Sequence, residues 1–181
     1  AEDNRKNIWI ATSNGINCID YKTKKITRFY PKSINKECTT NIINRLLKHS
    51  DGNVYAFCNR SVFKCSMNQT VETVFPDIAI PSPTYSVAQA PDKDIYIGTE
   101  SNGLYIYSEN WKLKKHVPID GIIATILPDN NGDIWLGLDE TGICLFNKNK
   151  QTFTWLHKDN TNLNNNSIRT FVSYGDSSIL V

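Results

Sequence analysis

Residues 130–146 read NNGDIWLGLDETGICLF, and this stretch decides the fold. Asn131-Gly132 makes a tight turn, and residues 134–137 form an apolar strand. A polar turn closes at Gly142, and residues 143–146 form a second apolar strand. The same order recurs at residues 7–20 (NIWIATSNGINCID), 51–66 (DGNVYAFCNRSVFKCS) and 94–108 (DIYIGTESNGLYIYS). Trp9, Tyr55, Tyr96, Trp135 and Leu180 hold the equivalent place, at spacings of 46, 41, 39 and 45 residues. A period of about forty residues with several strands in each period marks a β-propeller blade.

Taken in order, the units span residues 1–40, 41–84, 85–120 and 121–166, with the start of a fifth at 167–181. Every position of residues 8–11 is apolar, as expected of a strand covered on both faces rather than one with a wet side. Residues 26–30, 71–75, 111–117 and 152–157 are more polar and suit outer edges, where lysines discourage edge pairing. Ile26/Phe29, Val71/Val74, Leu113/His116 and Phe153/Leu156 stand three apart, a spacing that predicts a bulge or strong twist in each outer strand. Residues 41–47, 85–89, 122–127 and 168–172 are expected to open successive blades, and the proline-bearing stretch 76–83 to be an ordered loop. No segment carries a sustained helical period, so the reading is all-β: a β-propeller of about four four-stranded blades. The first unit lacks its innermost strand, which residues 168–172 could supply. Residues 179–181 would then duplicate the place of residues 8–10, which predicts a fragment of a larger, six- to eight-bladed ring.

Composition narrows the function classes. The 181 residues are 40% hydrophobic and 21% charged, ordinary for a globular chain, and a formal net charge of +2 gives no footing for nucleic acid. No apolar window approaches the length of a membrane helix, and no signal peptide is visible at Ala1. The five cysteines form no CxxC pair, so zinc and thioredoxin-type readings are poor. Cys18, Cys58, Cys65 and Cys144 lie in expected strands as small buried hydrophobes, and Cys58 and Cys65 do not fall opposite each other across their hairpin.

Candidate chemistry is sparse. Residues 129–133, DNNGD, look like a calcium loop but lack the downstream bidentate glutamate, so a hairpin turn is the better reading. His49, His116 and His157 fall at non-equivalent places in different units, no nucleophile has a base at a recognised spacing, and no cofactor is implied. Asp92 and Asp94 beside Lys93 read as solvated surface. Paired carboxylates for glycoside cleavage are not indicated.

Among propeller repeats, the fourth unit resembles the two-component regulator propeller repeat. The resemblance rests on Gly132-Asp133-Ile134-Trp135-Leu136-Gly137, Gly142-Ile143, Phe146-Asn147, Phe153, the run Ser167-Ile168-Arg169-Thr170-Phe171 and the asparagine-rich loop 162–167 before it. No Trp-Asp pair closes a blade, so the WD-type signature is absent, and the second unit, with Tyr55-Ala56-Phe57-Cys58, departs furthest. The resemblance implies the extracytoplasmic, periplasmic sensor region of a hybrid two-component histidine kinase, followed there by an immunoglobulin-like domain, a membrane helix and a kinase core. This chain carries no kinase residue and is not expected to be an enzyme.

Strand alternation then places any ligand. Connections into the innermost strand and turns between the second and third strands share one edge of each blade. That edge carries residues 32–38, 81–85, 100–102 and 158–166, and its candidate ligand-binding residues are Arg60, Tyr85 as a stacking platform, Glu100, Asn102, Glu140, Lys158 and Asn160. Their mixture of charge, amide and aromatic ring suits an oligosaccharide. The expected partners are therefore an oligosaccharide, further blades and downstream domains of the same protein, and a second copy in a homodimer, because an open run of blades exposes apolar faces. A polysaccharide or ester lyase and a structural interaction platform are the alternative functions.

Overall fold

The structure, a computed structural model, describes residues 1–36, 38–74, 80, 82–174 and 178–181. The chain divides into two units, Ala1–Thr84 and Tyr85–Val181. In the first, β1 (Ile8–Thr12), β2 (Gly15–Ile19) and β3 (Ile26–Phe29) form an antiparallel sheet in chain order. A four-residue helix α1 (Pro31–Ile34) precedes the sheet of β4 (Arg45–Lys48), β5 (Val54–Cys58), β6 (Ser61–Ser66) and β7 (Thr70–Thr73). In the second, β8 (Thr84–Gln89), β9 (Ile95–Thr99), β10 (Leu104–Tyr107) and β11 (Leu113–Val117) form one four-stranded sheet. β12 (Ile123–Pro128), β13 (Ile134–Leu138), β14 (Gly142–Asn147) and β15 (Thr152–Leu156) form the next, and β16 (Val172–Tyr174) pairs with β17 (Ser178–Leu180). Each sheet is an antiparallel meander of the propeller-blade kind.

Burial follows from blades stacked face on face. All five positions of β5 and of β9 are buried, whereas the outer strands β3 and β7 alternate exposed and half-buried residues. In the first unit Trp9, Ile16 and Cys18 pack with Val54, Ala56, Phe63 and Cys65. In the second, Tyr96, Leu104 and Ile106 pack with Ile134, Leu136, Cys144 and Phe146. Each fully buried aliphatic or phenyl side chain contributes about 1.5–3 kcal/mol relative to exposure.

One turn is repeated four times. At Asp3, His49, Ala90 and Asp129 the backbone N–H donates to the carbonyl four residues on, and the residue three places on donates back. That third residue has positive φ in every copy: Lys6, Gly52, Lys93 and Gly132. These are hairpin turns between the first and second strands of each blade. At the first of them Glu2 bridges Ile8, and the N–H of Trp9 reaches the carbonyl of Ala1. Ala1 and Glu2 thus occupy the register that Leu127 and Pro128 hold against Trp135 and Ile134, so a stub of the innermost strand is present in the first blade.

Several boundaries depart from the sequence reading. The second blade's first strand begins at Arg45 rather than residue 41, and β16 begins at Val172 rather than 168. The reason is the same in both: the N–H of Ile43 goes to the carbonyl of Thr12, and that of Ile168 to the carbonyl of Leu138. The incoming segment is stitched to the preceding blade before it pairs with its own. Trp111 lies in a turn at φ 61° and is buried, so its edge strand starts at Leu113.

A register shift is found in the outer strand β11, between Ile106/Tyr107 and their partners Lys115 and Leu113, while β3, β7 and β15 pair without one. Phe153 packs with the cluster around Phe146, and Leu156 with Ile143 and Ile168 on the other side of the sheet. Residues three apart point to opposite faces of a strand, and here both faces are covered, so no bulge is needed. Much of the loop 76–83, along with Phe75 and Glu37, lies outside the described residues.

Candidate ligand-binding edge

Turns between second and third strands lie against the connections that enter or leave the blades. In the first unit the N–H of Gly15 donates to the carbonyl of Asn41 at 2.9 Å, and Asn41 Nδ2 to Asn14 Oδ1 at 3.2 Å. The N–H of Thr84 donates to the carbonyl of Asn59 at 3.2 Å. In the second unit His116 Nε2 meets the carbonyl of Asn102 at 2.7 Å, and His157 Nδ1 that of Thr141 at 2.8 Å. Glu140 N–H donates to Ser167 Oγ at 3.2 Å, and Gly142 N–H to the carbonyl of Asn166 at 2.7 Å. A methyl group on Gly142 would stand 2.4 Å from the carbonyl oxygen of Leu156, and its φ is 96°, so only glycine allows this approach.

The expected site residues divide between the units. Arg60 is in the first, in the two-residue turn between β5 and β6 where Asn59 takes φ 52°. Tyr85, Glu100, Asn102, Glu140, Lys158 and Asn160 are in the second. Tyr85 is on the exposed side of β8, between buried Thr84 and Ser86. Among the described residues, the side chains of Arg60, Glu100, Glu140 and Lys158 are exposed and make no hydrogen bond or ion pair with the protein. Asn102 is half-buried, its N–H bonded to Thr99 Oγ1. Asn160 differs: its Oδ1 accepts from His157 N–H at 2.7 Å and its Nδ2 donates to the carbonyl of Trp155 at 3.0 Å. Its amide organises the loop. The reading of the sequence passed over Asp139 and Arg169 on this edge, which form an ion pair at 3.3 Å. Asp139 Oδ1 is buried and finds no donor among the described residues.

On the opposite turns the aspartates are internally bonded. Asp129 Oδ1 accepts from the N–H groups of Asn131 and Asp133, and Oδ2 from Trp135 Nε1 at 3.1 Å. With its oxygens so occupied, the calcium-like DNNGD run is a hairpin turn. Asp92 and Asp94 are not simply solvated, as their sequence suggests: Asp94 is buried and bonded by both Lys114 and Lys148, and Lys148 also pairs with Asp92. Burial alone would raise the Asp92 carboxyl, but the Lys148 hydrogen bond, the Asp94 N–H and the charges of Lys148 and Lys114 hold it below its ordinary range. Burial alone would lower Lys148, yet its bonds to both carboxylates hold it well above the usual lysine value.

Among the described residues no catalytic cluster converges elsewhere. The three histidines are separately engaged: His49 with Asp51 at 3.0 Å, His116 stacked on Tyr105, and His157 stacked on Trp155. Among the described residues no three metal-ligating side chains come together. Burial pushes the thiols of Cys18 and Cys144 up to about 11 and about 12, with the charges of Asp3 and Asp20 adding to the effect at Cys18. Neither suits a nucleophile.

No protein-family model and no curated protein matches this sequence. Solved structures do. The extracellular domain of the putative one component system BT4673 from B. thetaiotaomicron superimposes with a TM-score of 0.76 at 19% identity, covering 96% of this chain and 24% of that one. The extracellular domain of the putative hybrid two component system BT3049 from the same organism gives 0.64 at 27% identity, covering 82% and 21%. Virginiamycin B lyase from Staphylococcus aureus gives 0.64 at 19% identity, covering 86% and 53%. The chain thus spans about a quarter of the length of the extracellular domains it matches. Its blades, with their fourfold hairpin turn and doubly buried central strands, are β-propeller repeats, similar in fold to parts of the extracellular domains of the putative hybrid two component systems BT4673 and BT3049.

Proposed function

We propose that this chain is part of the extracytoplasmic sensor region of a hybrid two-component protein. It takes no part in catalysis, binds an oligosaccharide on the edge described above, and passes the signal to a histidine kinase elsewhere in the protein. One contrast carries the reading. The hairpin turns keep their aspartates bonded to N–H, indole and ammonium groups, whereas Glu100, Glu140 and Lys158 keep free charge in the unit that also holds the exposed Tyr85. Charged groups held on short turns with no internal partner are available to sugar hydroxyls or uronate carboxylates, and an aromatic face offers an apolar platform. Likeness to the extracellular domains of BT4673 and BT3049 supports the sensor setting. The partners in this reading are the oligosaccharide, further blades and downstream domains of the same protein, and a second copy of the chain; nucleic acid is not among them.

The test is calorimetric titration with neutral and uronate-containing glycan oligomers. Binding weakened by Lys158→Ala or Glu140→Gln, and unchanged by Lys24→Ala or Lys150→Ala on the opposite turns, supports the assignment. Equal effects from both groups of substitutions refute the edge. Cleavage of the glycan refutes the sensing role in favour of a lyase.

A further inference from the structure

Of the five cysteines, two are brought together by the fold although twenty residues separate them. Cys38 is in the connection between the first and second blades, and Cys58 ends β5. Cys38 Sγ reaches Ser61 Oγ at 3.4 Å, and Ser61 is the cross-strand partner of Cys58. From the other side, Cys58 Sγ reaches the carbonyl of Thr40, two residues beyond Cys38, also at 3.4 Å. Both thiols are in the same core cluster, close enough for the Cys38 sulfur to act on the Cys58 thiol. Both are free and buried.

We propose that Cys38 and Cys58 are a redox pair that closes to a disulfide and fastens the interblade connection to the second blade. The Cys38 and Cys58 thiols each lose a proton, and the pair gives two electrons to a low-molecular-weight disulfide such as oxidised glutathione. One S–S bond forms between the cysteines as the S–S bond of the oxidant breaks, releasing two small thiols. The site is shielded. Burial, with the neighbouring Cys38 sulfur adding to it, pushes the Cys58 thiol up to about 12, and only a thiolate attacks a disulfide. The bond therefore closes while the chain folds, or when the connection opens, and not by direct attack on the closed native state. Closing it removes freedom from the unfolded chain over residues 38–58, so the oxidised form resists unfolding more than the reduced form. Cys18 and Cys65 are also neighbours in that core cluster, but both lie inside strands, Cys18 opposite Trp9 and Thr27 and Cys65 opposite Val54 and Val71. Cys144 stands opposite Leu136 and Trp155.

The experiment is to refold the full chain in a glutathione redox buffer, block remaining thiols with an alkylating agent in denaturant, and map the peptides by mass. The expected result is one linked peptide pair joining Cys38 to Cys58, a mass lower by two hydrogen atoms, and alkylated Cys18, Cys65 and Cys144. Oxidised protein then melts at a higher temperature than reduced protein, and Cys38→Ser abolishes that difference. Five alkylated thiols after refolding, or linkage of any other pair, overturns the proposal. Because the mapping is made on the unaltered chain, a poorly folding variant does not remove the test.

Discussion

Trp9 Nε1 donates to Asp3 Oδ2 at 2.9 Å across the turn that enters β1, and both residues are buried. Asp3 Oδ1 accepts the N–H groups of Arg5 and Asn7, so one carboxylate ties the turn to the first aromatic residue of the strand. Asp129 and Trp135 repeat the arrangement in the fourth blade at the same separation of six residues. In the second blade Asp51 accepts from Tyr55 Oη at 2.9 Å instead, while His49, at the place of Asp3, packs on the Tyr55 ring. In the first, second and fourth blades the residue that marks the repeat in sequence is thus also the one whose polar atom closes its turn. In the third, Ala90 holds the place of Asp3, and Tyr96 Oη is buried without an acceptor among the described residues.

Asp3→Ala should therefore destabilise the first unit by about 2–3 kcal/mol, the cost of stranding a buried indole N–H and two backbone donors. Asp129→Ala should cost less, about 1 kcal/mol, because Trp135 is only half-buried and water can replace the lost acceptor. Urea denaturation followed by tryptophan fluorescence distinguishes the two.

Gly98 and Gly137 are small for a different reason. A methyl group on Gly98 would stand 2.4 Å from Ser86 Oγ and 2.6 Å from Ile123 Cγ2; on Gly137 it would stand 2.5 Å from Thr125 Cγ2 and 2.6 Å from Ile168 Cγ2. Each alanine substitution should cost about 1–3 kcal/mol through overpacking. Ile168→Ala in the Gly137→Ala background should cost less than the two single losses summed, which a double-mutant cycle measures. Gly132→Ala meets no atom within 4 Å and should lose only about 1 kcal/mol, through its φ of 86°.

The Asp92–Lys148–Asp94 cluster makes stability depend on pH in a defined direction. Asp92 is held below its unfolded value of 3.8, so its contribution is full above that value and is lost as pH falls through the lower folded value. Lys148 is held above its unfolded value of 10.5, so its contribution is full below 10.5 and is lost as pH rises through the higher folded value. Lys148→Met should lower stability at pH 7 and shrink the difference between pH 7 and pH 3. Denaturation at both pH values checks it, and an undiminished difference would contradict the pairing.

Lys158 and Asn160 should respond differently to substitution despite being two residues apart. Lys158→Ala is expected to leave the melting temperature unchanged and to weaken oligosaccharide binding by about 1.5–3 kcal/mol. Asn160→Ala removes the amide that holds His157 N–H and the Trp155 carbonyl, so it should lower stability by about 1 kcal/mol together with binding. Calorimetry and thermal melting on the same samples separate the two roles.

The sequence by itself determined the blades: their period, the order of turn and strand, and the all-β class. These features reside in contiguous residues, in apolar runs bounded by turn-forming Asn, Asp and Gly, and neighbouring residues set them without reference to the rest of the chain. Tertiary structure decided what depends on residues far apart. It placed Ser86 Oγ on the carbonyl of Ile123, 37 residues away, and Lys148 on Asp94, 54 residues away, which turned a solvated-looking acidic pair into a half-buried ion network. It moved the starts of β4 and β16, because Ile43 and Ile168 find a backbone acceptor on the preceding blade. It also set Cys38 beside Cys58 and engaged the amide of Asn160 with the His157 N–H and the Trp155 carbonyl. Each of these outcomes is fixed by which groups must find hydrogen-bond partners once blades close over them, and that requirement arises only when packing excludes water.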